Sequence, residues 1–217
     1  MSLAFTIHPA VYIGGGVTVE PDFSPFYNVC AVAPKAFAIN GAEFTVGMTQ
    51  AQCKTIVEDK IAAYPEFGGP RLAYWEWEAA HNAGWTVSNM ILKQNGAEEG
   101  GPDYTWGGYH APWTNMYATT AGDMTATSTL NDGYASYFAE CQVHFPDIYW
   151  LVASADNVEV TLDLNIAEVK RAITGCTSQR IVPFIATRRP NPDWVTTLPL
   201  EAATFASMAQ KKRTDAQ

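Results

Sequence analysis

The stretch Arg71-Leu72-Ala73-Tyr74-Trp75-Glu76-Trp77-Glu78 follows a Gly68-Gly69-Pro70 turn and carries large apolar side chains up to a terminal pair of carboxylates. That composition predicts a β-strand over residues 71–78. On a strand, residues two apart point to the same face. Glu76 and Glu78 would then share one face, and Trp75 and Trp77 the other. Two neighbouring carboxylates cannot ionise independently, so one pKa is expected to rise. The protonated member, Glu78, can act as general acid while the other stays negative. In parallel barrels, active sites form at the C-terminal ends of strands, where this pair falls. The plainer alternative is an exposed edge strand with a solvated glutamate face.

Outward from this strand the pattern is regular. Residues 27–33 read as a buried strand. Thr49 is an N-cap with Gln52 three positions on, a capping box that opens a helix. Cys53, Ile56, Val57, Ile61 and Tyr64 share one face of that helix, and Pro65 ends it. Residues 79–103 read as a short helical or irregular stretch followed by a loop from Gly96 to Asp103. A strand follows at 104–109, then a long loop at 114–130. A helix is expected from about Asn131 to His144, with Asn131 and Asp132 as its N-cap types. Residues 147–153 form the next strand. Val160, Leu164, Ile166, Ala167, Val169 and Ile173 mark a helix. Residues 180–186 form a further strand and 199–210 a last helix. Gly14-Gly15-Gly16 is read as a turn, since no G-K-[ST] follows it. Alternating strands and helices imply parallel strands with helices packed outside. The fold class expected is α/β, a (β/α) TIM-barrel-like single domain over residues 1–217.

The chain carries a net charge of −9, which argues against nucleic acid or an anionic membrane surface as partner. Charged residues are only 16% of the chain while aromatic residues are 12%. Seven Trp and ten Tyr exceed what a core of this size needs. A sugar ring offers an apolar face to an aromatic plane, so a cleft for a polysaccharide or oligosaccharide is one place for that surplus; for any single Trp, a place in the core is the simpler reading. The four cysteines, Cys30, Cys53, Cys141 and Cys176, form no C-x-x-C pair, which disfavours a zinc ribbon or a thioredoxin-type site. The N-terminus shows no basic n-region followed by an apolar h-region, so no signal peptide is expected, and no run of 18 apolar residues suggests a membrane span.

Several motifs recur in one order. Glu76-Trp77-Glu78 resembles the Asp-Trp-Glu strand of the bee-venom and mammalian hyaluronidase family of glycoside hydrolases. Trp106-Gly107-Gly108-Tyr109-His110-Ala111-Pro112 is similar to that family's Trp-Gly-x-Tyr-x-x-Pro strand. Asn131-Asp132 and Phe145-Pro146-Asp147-Ile148-Tyr149 resemble its Asn-Asp helix and Tyr-Pro-x-Ile-Tyr strand. Residues Arg180 to Ala186 are similar to its Pro-Val-x-Pro-Tyr strand, and Leu198-Pro199-Leu200 to its Leu-Pro-Leu step. The resemblance covers about residues 70–205. It implies a distorted (β/α) barrel that cleaves N-acetylhexosamine linkages with retention. The substrate's acetamido oxygen would be the nucleophile, a substrate-assisted exception to the two-carboxylate scheme. Glu78 would be proton donor and later base, and Glu76 would orient the acetamido group. Tyr109 and Tyr149 would hydrogen-bond the sugar, with Trp106 beside them in the cleft. No cofactor and no metal are implied.

The departures from that pattern are specific. Glu76 stands where the family has Asp, and the segment before Trp106 is shorter. A typical barrel needs about 250 residues, so a barrel incomplete at its C-terminus is expected. Its open edge would be closed by residues 1–20 or covered by a second copy or an assembly partner. His110, His144 and Asp147 match no standard metal-ligand spacing and are read as core or surface residues. No G-x-S-x-G elbow exists. The competing class is a non-catalytic carbohydrate-binding or structural assembly protein, such as a virion component, on the same scaffold.

Overall fold

In the computed structural model of the chain, the residues described are 6–7, 31–32, 37–39, 42–63, 71–147, 155–183, 188–190 and 197–199. The centre of the structure is a parallel sheet. Strand β3 (Phe37–Ile39) pairs with β4 (Arg71–Trp75), and β4 pairs with β5 (Tyr104–Gly108). Single parallel bridges continue the order, Tyr109 with Phe145 and His144 with Ile181. Five successive strand positions therefore run the same way, each separated from the next by helix. Two shorter pairings accompany them. Strand β1 (Thr6–Ile7) pairs in parallel with β2 (Ala31–Val32), and β6 (Arg188–Pro190) pairs antiparallel with β7 (Thr197–Pro199). The chain is an α/β protein of parallel β–α units. Closure into a full barrel is not seen among the described residues.

Both faces of the sheet are buried, as parallel sheets require. Ile39, Ala73, Trp75, Tyr104 and Trp106 face the helices and pack with Cys53, Val57, Met90, Ala97, Tyr137 and Phe138. Ala38, Leu72 and Tyr74 alternate with them and pack on the other side with Val143 and Phe145. The period-2 alternation along 71–75 thus sorts two different cores rather than core and solvent.

Helix α1 (Gln50–Ala63) forms where the capping box predicts it. The Thr49 N–H donates to Gln52 Oε1 at 2.8 Å, and the Gln52 N–H donates back to Thr49 Oγ1 at 3.3 Å. Cys53 and Val57 are fully buried, and Ile56 and Ile61 pack against the same cluster. Tyr64 lies outside the described residues.

Three local expectations need correction. First, the strand at 71–78 stops at Trp75. Glu76 (φ −74°, ψ 76°) leaves the extended region, and helix α2 (Trp77–Asn82) begins at once. Glu78 therefore sits in the first turn of a helix, and the shared-face argument from a continuous strand does not hold. The cause is tertiary: Trp77 turns into a nest of Tyr134, Tyr137 and Phe138 that no strand continuation would reach.

Second, the loop expected from Gly96 to Asp103 is mostly helix α3 (Val87–Gly100), capped by Thr86, whose side chain accepts from the Asn89 N–H at 3.3 Å. The glycines serve packing. A Cβ at Gly96 would lie 2.7 Å from Cys53 Cβ, and one at Gly100 would lie 2.5 Å from the Lys54 carbonyl. Only the missing side chains let α3 lie this close to α1.

Third, Asn131 does not start a helix. The chain enters a 3-10 turn at Ala121–Met124 and then α4 (Thr125–Gly133), followed by α5 (Ala135–Glu140). Asp123 organises the entry by accepting the N–H groups of Thr119 and Thr120, each at 2.8 Å. Much of the expected loop at 114–130 is therefore helical, and α5 ends at Glu140 rather than His144.

The strand expected at 147–153 lies, apart from Asp147, outside the described residues; a strand position stands just before it, at His144 and Phe145. Helix α6 (Ala155–Ala172) agrees with the sequence reading, but it buries Leu162, Ile166 and Val169, with Ile173 buried just beyond its end, while Val160 is exposed. Of the strands expected at 27–33 and 180–186, and the helix at 199–210, only parts are described, with Thr197–Pro199 in strand β7.

Candidate active site

The C-terminal ends of β4, β5 and the strand position at His144–Phe145 meet at one end of the sheet. Beyond β4 stands Glu76, whose N–H donates to the Ile39 carbonyl at 3.2 Å and so continues the β3–β4 pairing. Beyond β5 come Tyr109 and His110. The Tyr109 N–H donates to the Trp75 carbonyl at 2.9 Å, and the His110 N–H to the Phe145 carbonyl at 2.9 Å. These backbone bonds fix both residues to the two neighbouring strands.

Their side chains converge with Glu78 and Asp147. The Tyr109 hydroxyl donates to Asp147 Oδ2 at 3.1 Å. His110 Nδ1 lies 3.3 Å from Glu78 Oε2 and 3.6 Å from Asp147 Oδ2. The Thr114 hydroxyl donates to the Asp147 carbonyl, which ties the loop after β5 to the same place. Burial grades across the cluster: the Glu78 side chain is 36% exposed, whereas those of His110 and Asp147 are 6% and 3% exposed. Glu78 is thus the more exposed carboxylate of the cluster, and Tyr109 is half-buried.

An aromatic wall stands behind the cluster. The His110 ring packs on Trp113 with centroids 4.1 Å apart. Trp113 in turn meets Trp77 and His81. The His81 imidazole Nδ1 lies 2.7 Å from the Tyr134 hydroxyl. Tyr109 packs on Tyr74, with centroids 5.9 Å apart.

Charge follows from this geometry. The Glu78 carboxyl is held below its ordinary value, chiefly by donation from His110, against the opposing effect of burial; Asn82 and His81 add smaller help. The ring N–H is not aligned on the oxygen as a formed hydrogen bond would be, so His110 acts on it as a close donor at 3.3 Å. The expectation of a raised Glu78 pKa is therefore corrected. A donor faces this carboxylate, and attraction to a donor outweighs partial desolvation. Burial pushes the Tyr74 phenol up, and the nearby Glu76 charge adds to it. Burial lowers the His81 imidazole, partly offset by Glu78.

A second polar cluster holds the loop over the site. Glu168 on α6 accepts from Ser128, Asn131 and Arg171, at 2.6, 2.8 and 2.9 Å. Asn131 also clasps Trp113, accepting its N–H at 2.9 Å and donating to its carbonyl at 3.1 Å. Burial alone would raise the Glu168 carboxyl, but these donors and the Arg171 charge together lower it. Glu78 and Glu168 both have folded pKa values below the ordinary 4.5. Their contribution to stability is fully present above that value and is lost as pH falls through the depressed folded values. The lowered His81 imidazole already costs stability as pH falls below its ordinary 6.5; the melting temperature should fall further below the ordinary carboxylate range, and Glu168→Gln should flatten that second drop. A Glu168→Gln profile as steep as the parent's would contradict this assignment.

Of the residues singled out from sequence, the structure brings Glu78 and Tyr109 to one cluster, with Glu76 at the adjoining strand end. Trp106 is not part of it. Its ring is fully buried on the helix side of β5, and its indole N–H donates to the Gly101 carbonyl at 2.9 Å. A role in touching substrate is corrected to a role in the core, because the alternation along β5 points residue 106 away from the site. Tyr149 lies outside the described residues. His110 and Asp147, set aside as unrelated in sequence, are the members that sequence reasoning missed. The available signal was the position of His110 directly after Tyr109 at a strand end. Among the described residues no group of His, Cys, Asp and Glu is arranged to hold a metal, and Cys53, Cys141 and Cys176 are free thiols.

No protein-family model matches the sequence, and no curated protein matches it. Solved structures do match the fold. Bee venom hyaluronidase in a monoclinic crystal form matches with a TM-score of 0.50 at 16% identity, covering 83% of this chain and 60% of that one. Bee venom hyaluronidase in complex with a hyaluronic acid tetramer matches with a TM-score of 0.51 at 16% identity, covering 85% of this chain and 59% of that one. The chain thus spans less than two thirds of the length of these proteins. At such identity the likeness speaks for the fold alone: this chain is built on parallel β–α units arranged like those of bee venom hyaluronidase.

Proposed function

We propose that this chain is a glycoside hydrolase acting on N-acetylhexosamine-containing polysaccharide, within one barrel-like domain over residues 1–217. The observation that carries the reading is the convergence of Glu78, Tyr109, His110 and Asp147 beyond the C-terminal ends of consecutive parallel strands, where such scaffolds do their chemistry. Glu78, the more exposed carboxylate, can serve as proton donor to a glycosidic oxygen. The bound hyaluronic acid tetramer of the bee protein supports a sugar chain as ligand.

The mechanism follows in two balanced steps. The acetamido carbonyl oxygen of the substrate attacks the anomeric carbon while the glycosidic bond breaks. Protonated Glu78 gives its proton to the departing oxygen, and the substrate closes to a cyclic intermediate. Water then opens that intermediate, with ionised Glu78 taking the water's proton, so the anomeric configuration is retained. Glu76 would steady the acetamido group, and Tyr109 and Tyr149 would hydrogen-bond the sugar. Because the Glu78 carboxyl sits low, its proton-donating form accumulates only as pH falls, and the rate should rise on the acid side.

The test is reducing-end release from hyaluronan, chondroitin and chitin oligosaccharides across acidic to neutral pH, with proton NMR to read the first anomer formed. Release of the retained anomer supports the reading. An inverted product, or no turnover on any of the three, would remove it. A second reading, a non-catalytic carbohydrate-binding or assembly protein, is favoured by the same Glu78–His110 pair, which can also be a structural ion pair. Sugar binding without turnover would select it.

A further inference from the structure

The mechanism above assigns no task to His110, yet this residue carries two unfavourable features. Its side chain is 6% exposed, and neither ring nitrogen makes a hydrogen bond among the described residues. Buried polar groups are rarely left so. Its φ is 67°, in the left-handed region that residues with a β-carbon seldom adopt. Strain and an unsatisfied buried group at one position persist only where the surroundings impose them, and they gather at functional sites.

The surroundings do impose them. The His110 N–H is held by the Phe145 carbonyl, the ring lies against Trp113 on one side, and the Tyr109 ring meets it edge-on with centroids 5.9 Å apart. So confined, the ring presents Nδ1 to two carboxylate oxygens, of Glu78 at 3.3 Å and of Asp147 at 3.6 Å. Nδ1 thus stands between the two carboxylates, nearer to Glu78. Glu78 is the outer carboxylate, and Asp147 is the buried one that accepts the Tyr109 hydroxyl.

We propose that His110 is the positioning residue for Glu78: its Nδ1–H holds the Glu78 carboxylate at the mouth of the site and ties it to the buried Asp147–Tyr109 pair. The assignment rests on the hydrolase reading of Glu78. The groups facing Glu78 are His110 from the turn after β5, Asp147 and Tyr109 behind that ring, and His81 from α2, itself paired with Tyr134. Of these, His110 is the nearest donor. Removing it should free the carboxylate to move and raise the pH at which it takes a proton.

Two variants separate positioning from folding. His110→Gly removes the ring and suits the left-handed backbone. His110→Asn keeps a short amide donor near the place of Nδ1, and Asn also tolerates that backbone. In the hydrolysis assay, His110→Gly should lower kcat about tenfold with KM little changed, part of the roughly 10²–10⁴-fold worth of a placed general acid. The basic limb of its kcat/KM profile should move to higher pH. His110→Asn should recover most of kcat. A Gly variant with the parent's kcat and pH profile would overturn the proposal.

A second arm needs no turnover. Carbon-13 NMR of the Glu side-chain carboxyls, with Glu78→Gln identifying the Glu78 resonance, follows its titration directly. The midpoint should be higher in His110→Gly than in the parent chain. If the parent hydrolyses nothing, the hydrolase reading falls, while this midpoint still decides the link between His110 and Glu78. An unmoved midpoint would overturn it.

Discussion

Glu78→Gln is expected to lower reducing-end release by about 10²–10⁴-fold, the usual worth of a positioned general acid. Gln keeps the shape of Glu and can still accept from His110, but it has no proton to deliver to a departing sugar oxygen. Stability should change by about 1 kcal/mol or less, because a pair in which one member is 36% exposed is screened by water. The effect should fall on kcat far more than on KM, since the lost interaction belongs to the transition state. The measurement is a parallel kinetic and urea-denaturation series on the two proteins. A variant that keeps the parent's kcat would show that Glu78 is not the acid, and the ion-pair reading would then be the better account.

Trp77→Ala is expected to destabilise the chain by about 3–5 kcal/mol, the range for removing a large buried aromatic. At this chain length each kcal/mol shifts the melting temperature by about 2–4 °C. Trp77 is fully buried and is the hub of the aromatic wall. It stacks on Tyr137 at 5.7 Å and 11°, meets Tyr134 edge-on at 5.0 Å, and touches Trp113, Phe138 and His81. It is also the first residue of α2, one position before Glu78. Truncation would therefore leave a cavity and release the turn that carries the carboxylate. Equilibrium urea unfolding reads the first effect, and activity under conditions where the variant stays folded reads the second. A loss below about 1.5 kcal/mol would mean that the wall re-closes around the gap and that α2 is anchored elsewhere. Trp77→Phe should recover part of the loss, because a ring can still occupy the nest.

The sequence alone determined what is local or periodic. Thr49 and Gln52 specify a helix start by hydrogen bonds three residues apart, and the helix is there. The alternation of strand and helix patterns implies parallel β–α units, and such units form because each apolar strand needs helices to cover it. The ordered motifs around Glu76, Tyr109 and Phe145 pointed to a hyaluronidase-like scaffold, which the solved bee structures share. Tertiary structure decided what depends on packing between distant segments. Gly96 and Gly100 look like loop residues in sequence, but in the fold they are places where α3 must touch α1. The strand through Glu78 looks continuous, but Trp77 finds its burial only by turning into α2, because Tyr134, Tyr137 and Phe138 lie some 60 residues further on in the chain. The same holds for the charge on Glu78. Its neighbours in sequence suggested a carboxylate pair that raises a pKa. The fold instead sets it beside His110, more than 30 residues away, and a donor 3.3 Å from a carboxylate lowers it. Periodicity and capping act within a few residues and can be read from order alone. Side-chain environments are made by contacts across the sheet, and only the folded chain supplies them.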